Sequence, residues 1–99
     1  MLAPLAVAVE VRALDVGPRL LRAFRLSEGV SERGLRLERD LPFEAGRPVL
    51  AALVLPDDEG GPLELVGVVE DARGITFTSV SADARQRLTR YVTERMLAP

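Results

Sequence analysis

The sequence predicts an all-β domain with a single C-terminal α-helix, arranged as a small barrel or sandwich. Six short segments alternate apolar and polar residues with a period of two, which is typical of half-buried strands. From Ser81 onward the apolar residues instead recur every three or four positions, as on one face of a helix. The 99 residues leave room for one core, so residues 1–99 are predicted to form a single domain.

Turn-forming residues separate the six predicted strands. The second strand has less distinct faces, because Phe24 and Leu26 share one face with Arg22. Residues 27–34 are polar and contain two glycines, so they are predicted to form a link. Gly67 indicates a bend or a close backbone approach in the fifth strand. The predicted strands cover residues 5–11, 19–26, 35–40, 49–55, 63–70 and 75–79.

The helix that follows has clear start and packing signals. Ser81 is the predicted N-cap, and Asp83 places a negative charge in the first turn, where the helix dipole favours it. Leu88, Tyr91 and Val92 lie on one face of the predicted helix. We therefore expect the helix to pack on the β structure through these three side chains.

The missing residue types exclude whole classes of chemistry. The chain has no Cys, no His and no Lys, so its 13 basic side chains are all arginines. This excludes disulfides, Cys/His zinc sites, Ser-His-Asp triads and a P-loop lysine. The net charge of −2 argues against nucleic-acid binding. No apolar segment approaches the roughly 20 residues that cross a bilayer, and a cytoplasmic protein without membrane insertion is predicted.

One acidic run could hold Ca²⁺ or Mg²⁺ only weakly. Asp57, Asp58 and Glu59 are consecutive in the sequence and lack the ligand spacing of an EF-hand loop. We therefore interpret the run as a solvated loop tip, and no metal is predicted. No pair of carboxylates has the pattern of an acid–base couple, so an enzyme is the least favoured function class.

Four stretches have the order and spacing of a known bacterial module. They are Ser31-x-x-Gly34 followed by LRLE, residues 46–56, residues 65–69 with 74–77, and the helical residues 83–92. Through them about two-thirds of the chain resembles the PilZ domain, the bacterial receptor module for cyclic di-GMP. The resemblance implies a six-stranded antiparallel β-barrel capped by the C-terminal helix. It also implies a regulatory role without catalysis.

The resemblance further implies where a nucleotide site should lie. PilZ domains hold the phosphates with an Arg-x-x-x-Arg segment before the first strand and the guanine with Asp/Asn-x-Ser-x-x-Gly. Here the first arginine is Arg12, no two arginines are four apart, and Gly29 stands where Asp or Asn is expected. Only Ser31 and Gly34 of the second motif remain. The residues of this remnant site are Ser31, Gly34, Arg33 and Arg36.

Two functional hypotheses follow from these departures. The first is a regulatory or adaptor module in cyclic-di-GMP-related signalling, affecting motility, pili or surface behaviour, which binds a protein partner and has lost its nucleotide site. No cofactor is expected under it. The second is a genuine cyclic-di-GMP receptor that uses non-standard arginines such as Arg33 and Arg36. A protein partner is expected to contact an exposed apolar patch or an edge strand, not a deep polar cleft.

Overall fold

Six antiparallel strands close into a barrel that is followed by one helix. The computed structural model describes residues 6–14, 22–55 and 61–97, the last three by their backbone alone. The strands run around the barrel in the order β1-β2-β3-β6-β5-β4, which confirms the predicted fold class. The elements are β1 (Ala8–Ala13), β2 (Arg22–Val30), β3 (Gly34–Leu37), β4 (Pro48–Val54), β5 (Leu63–Asp71), β6 (Gly74–Ser79) and α1 (Ala82–Leu97).

Alternating residues of each strand fill the interior with aliphatic side chains. In β1 the residues Val9 and Val11 point inward, and Val11 lies opposite Ala51 of β4. Strand β1 pairs with β2 on one side and with β4 on the other, so it closes the barrel. The period of two thus assigns each strand one buried and one outward face.

The second strand departs from the prediction. It continues to Val30, so half of the residues predicted to form a link, 27–30, belong to the strand, while predicted residues 19–21 lie outside the described part. Ser27 explains the error, because it is buried and its Oγ accepts a hydrogen bond from the Val7 amide at 2.9 Å. A bulge between Ser27 and Gly29 further masks the alternation.

The outward face of β2 carries large apolar side chains. The prediction that Phe24 and Leu26 share a face with Arg22 is confirmed, and this face is turned to solvent. Phe24 is 63% exposed and Leu26 is 44% exposed. Two of the largest apolar side chains of the strand therefore contribute little to the core.

Strands β3 and β5 also differ in detail from a regular ladder. The third strand ends at Leu37 and not at residue 40, although the amide of Glu38 still donates to the Leu26 carbonyl of β2, 3.0 Å away. At Gly67 the register between β5 and β6 shifts, and an added Cβ would meet the Thr76 carbonyl oxygen. The predicted close approach at Gly67 is confirmed.

The helix begins and packs as predicted. The Ser81 Oγ accepts a hydrogen bond from the Ala84 amide at 3.1 Å, which caps the helix. Leu88 and Tyr91 join the core cluster, and Val92 packs against it half-buried. No helix among the described residues is long and apolar enough to cross a membrane.

The packing of α1 is tested by removing its most buried side chain. Replacing Leu88 with alanine is expected to lower the free energy of unfolding by about 2–5 kcal/mol, because the change leaves a cavity in the core. The matched control is Gln86→Ala at an exposed position of the same helix, with an expected change of about 0.5 kcal/mol or less. Urea denaturation measures both variants, and equally small effects would contradict the packing of α1 on the barrel.

Candidate functional site

The remnant site lies in the tight turn between β2 and β3. The Ser31 amide donates to the Gly34 carbonyl at 2.9 Å. The Ser31 Oγ accepts from the amides of Arg33 at 3.2 Å and Gly34 at 3.3 Å. Serine at this place stabilises the turn by mimicking a backbone acceptor. The hydroxyl is therefore engaged within its own turn.

The fold itself explains the glycine at position 34, without any role in ligand binding. A Cβ at this position would meet the carbonyl oxygen of Ile75 in the neighbouring strand β6. The absence of a side chain thus allows β3 and β6 to approach closely. Gly29, where the resemblance expects an acceptor side chain, is buried in β2 beside the bulge and lies opposite Arg36.

Contacts on two sides hold the turn in place. The Arg33 carbonyl accepts from the Phe77 amide of β6 at 2.8 Å. Glu32 Oε1 accepts from Thr89 Oγ1 of α1 at 2.8 Å. The β2–β3 turn is thereby fixed between a strand and the helix, and its conformation is set by the fold.

The structure separates the two candidate arginines. Arg33 is exposed within the turn. Arg36 lies on β3, where its Nη1 is 3.6 Å from Asp71 Oδ2 at the β5–β6 hairpin. Ser31, Arg33 and Gly34 are therefore brought together, whereas the guanidinium of Arg36 is directed to a carboxylate of this chain.

The β5–β6 hairpin holds a small network of charges that the sequence analysis did not find. Asp71 Oδ1 accepts from the Arg73 amide at 2.9 Å. This hydrogen bond, aided by the nearby charge of Arg36, lowers the pKa of the Asp71 carboxyl below its ordinary value. The sequence Asp-Ala-Arg-Gly is a signal for such an Asx turn.

A second arginine–carboxylate pair joins distant parts of the chain. Arg73 Nε lies 2.8 Å from Asp40 Oδ1, and this contact raises the pKa of Arg73. Arg25 donates from Nε and Nη2 to the Asp40 carbonyl at 3.1 and 2.9 Å. Residues 33 positions apart meet here, so no local sequence signal indicates the pair.

Among the described residues around the remnant site, exposed acidic residues outnumber exposed arginines. The exposed acidic residues of this region are Glu28, Glu32, Glu38, Asp40, Glu70 and Asp71, and the exposed arginines are Arg33, Arg36, Arg39 and Arg73. Such a surface offers no excess positive potential to an anionic ligand. Among the described residues no cluster of His, Cys, Asp or Glu has a metal-binding arrangement, and the run at 57–59 lies outside the described part.

The barrel with its C-terminal helix matches solved structures over most of its length. It superposes on the inhibitor of motility MotI/DgrA of Bacillus subtilis with a TM-score of 0.74 and 20% identity, covering 95% of this chain. It also superposes on the PilZ domain of CeSA from a cellulose-synthesizing bacterium with a TM-score of 0.67 and 23% identity, covering 95% of this chain and 96% of that domain. This chain has a PilZ-like fold.

The likeness between the PilZ-like domain and these structures is one of fold. No family model matches the sequence, and no curated protein matches it. The PilZ-like domain spans about half of the motility inhibitor, 48% of its length. The six-stranded barrel implied by the sequence resemblance is confirmed.

The structural role of Gly34 is tested against its neighbour in the same turn. Gly34→Ala is expected to lower the free energy of unfolding by about 1–3 kcal/mol, because backbone atoms must move to accept the methyl group. The matched control is Arg33→Ala at an exposed side chain, with an expected effect within about 0.5 kcal/mol. Thermal unfolding of both variants measures the difference, and a fully stable Gly34→Ala protein would contradict the close approach of β3 and β6.

The charge network gives a second prediction, for Asp71. Its carboxyl is expected to titrate below its ordinary pKa, and Arg36→Gln should raise that pKa only part of the way, because the Arg73 amide still donates. A lowered pKa in the folded state stabilises the fold above the unfolded-state pKa, and this contribution is lost as the pH falls through the folded-state value. NMR titration measures the pKa.

The control for this titration is Arg85→Gln on α1, where the arginine is exposed and outside the network. It should leave the titration of Asp71 unchanged. If Arg36→Gln also leaves the pKa of Asp71 unchanged, the interaction between Arg36 and Asp71 is absent in solution.

Proposed function

We propose that this PilZ-like domain is a non-enzymatic regulatory module in cyclic-di-GMP-related bacterial signalling, which binds a protein partner and has lost its own nucleotide site. The observation that supports this most directly is the engagement of the remnant groups within the domain. Ser31 Oγ serves its own turn, and Arg36 faces Asp71. Neither group is directed toward an external ligand.

The missing groups account for a large loss of affinity. Each charge-assisted hydrogen bond contributes roughly 1.5–3 kcal/mol. Without two arginine contacts and one guanine acceptor, the loss is about 4–8 kcal/mol, on the order of a thousandfold to a millionfold in affinity. Gly29 has no side chain to supply the acceptor, and an Arg-x-x-x-Arg segment is absent from the sequence.

The charges around the turn support the same conclusion. A ligand with two phosphates gains from arginines that have no competing carboxylates nearby. Here Asp71 faces Arg36 and Asp40 faces Arg73. Each pair is exposed and weak in itself, but a phosphate would replace an existing carboxylate partner and would meet the repulsion of its charge.

The structural neighbours supply the biological context of the proposal. One is described as an inhibitor of motility and the other as a PilZ domain from a cellulose-synthesizing bacterium. The first description concerns motility, and the second concerns a bacterium that synthesizes cellulose. A regulatory role in motility, pili or surface behaviour is therefore the context we propose for this chain, with a protein partner in place of the nucleotide.

Calorimetric titration with cyclic di-GMP tests the lost site. The unmodified chain is expected to give no saturable binding at micromolar concentration, because the phosphate clamp and the guanine acceptor are both missing. Gly29→Asp alone should not restore binding, since the phosphates still lack arginines. Gly29→Asp combined with an Arg-x-x-x-Arg leader before β1 is the variant in which binding is expected to return.

Saturable micromolar binding by the unmodified chain would overturn the lost-site proposal in favour of a receptor. In that case Arg33→Ala and Arg36→Ala should each weaken the binding if these arginines replace the usual clamp. Arg90→Ala on the exposed side of α1 is the matched control, and it should have no effect.

A further inference from the structure

A contiguous apolar surface lies on the outside of the barrel, across strands β2, β1 and β4. Ala8 of β1 is opposite Leu26 of β2 and also opposite Val54 of β4. Phe24 is two residues from Leu26 on the same face of β2. Paired residues in antiparallel strands are about 4.5–5.5 Å apart, so the four side chains adjoin. We call Ala8, Phe24, Leu26 and Val54 the outer apolar patch.

The exposure of the patch is unusual for this chain. Phe24 is 63%, Val54 55% and Leu26 44% exposed, and only one other described large apolar residue is comparably exposed. The barrel is closed, so β2, β1 and β4 present no unpaired edge to a partner. The sequence analysis predicted that a partner contacts either an edge strand or an exposed apolar patch. Because these strands have no free edge, the apolar patch is the surface that fits the prediction.

A small apolar residue, Ala52, lies beside the patch on the outward face of β4. Ala52 of β4 lies opposite Glu10 of β1, on the outward face. It is only 7% exposed although it is not part of the core cluster. Its small side chain is therefore shielded by neighbouring side chains, and it lies opposite Glu10 of β1 and Glu64 of β5.

Among the described residues, one end of the patch has two arginines and one carboxylate. Glu10 Oε1 is 3.2 Å from Arg12 Nε and 3.7 Å from Arg22 Nε. One carboxylate oxygen thus faces two guanidinium groups. These three side chains together have a net charge of +1.

We infer that this outward face of β2, β1 and β4 binds a short amphipathic segment of a protein partner, with two or three apolar side chains on the outer apolar patch and one carboxylate on Arg22 and Arg12. The inference rests on the proposed function, because it names the surface and the chemistry of the protein partner. The carboxylate supplies the missing negative charge, and the apolar side chains cover Phe24, Leu26 and Val54.

The size of the surface favours a short segment over a second copy of this chain. A stable interface between folded proteins buries about 800 Å² and roughly 20–30 residues on each side. The surface defined here consists of the four patch residues, Ala52 and the three charged residues. Two like surfaces would also place two groups of net positive charge in the same interface.

Selection from a display library of random 12-residue peptides, on the immobilised full chain, tests the inference. Selected peptides are expected to combine apolar residues with Asp or Glu. Phe24→Ser and Arg22→Glu should each weaken their binding by about tenfold or more, as expected for an apolar anchor or a charge pair. Both residues are exposed, so thermal unfolding should show both variants to be folded.

Reversal of charge provides a sharper test than loss of binding. The Arg22→Glu chain should select peptides that carry Lys or Arg instead of Asp or Glu. Arg85→Glu, which makes the same change on the exposed side of α1, is the matched control and should select the same peptides as the unmodified chain. Sedimentation of the unmodified chain should show a monomer.

Three outcomes would overturn the inference. They are the absence of any binding peptide, peptides that are insensitive to Phe24→Ser and Arg22→Glu, and a dimer that Phe24→Ser dissociates. The last outcome would assign the surface to a second copy of the chain. None of these results depends on cyclic di-GMP, so failure here is distinguishable from failure of the lost-site proposal, which the calorimetric titration decides.

Discussion

The pairing of β1 with both β2 and β4 is the constraint on which the rest of the molecule depends. It closes the sheet, so each described strand has neighbours on both sides and the inward faces are sealed from water. The interior is then filled by aliphatic side chains such as Val11, Ala51 and Leu53. A barrel closed in this way offers a partner only its outward faces and its loops.

Most of the fold could be predicted from the sequence because its signals are local. Alternation in β4 and β5, the Ser81 cap and the helical stripe through Leu88 are all readable within a few residues. The full length of β2 could not be predicted, because Ser27 is a polar residue whose hydrogen-bond partner, the Val7 amide, is 20 positions away in the sequence. Whether a hydroxyl that has a hydrogen-bond partner is buried depends on tertiary contacts, and the alternation of apolar and polar residues along a strand does not show these contacts.

The candidate site was predictable only as a set of residue types. The turn of Ser31 and Gly34 follows from local chemistry, and the absence of an acceptor at Gly29 is visible directly. The partners of the arginines were not predictable, since Arg36 meets Asp71 and Arg73 meets Asp40 across different strands and loops. Pairing of this kind depends on the register between strands, which the sequence does not state.

The two faces of each strand have different roles, so substitutions on the outward face need not disturb the core. Inward residues such as Val9 determine whether the barrel packs, whereas outward residues such as Glu10 contribute little to the core. Loss of a nucleotide clamp therefore need not disturb the fold, because Ser31 and Gly34 retain structural roles. By the same reasoning, Phe24 has no role in the core that would account for a large apolar side chain at 63% exposure, and a ligand that covers it removes this unfavourable contact with water.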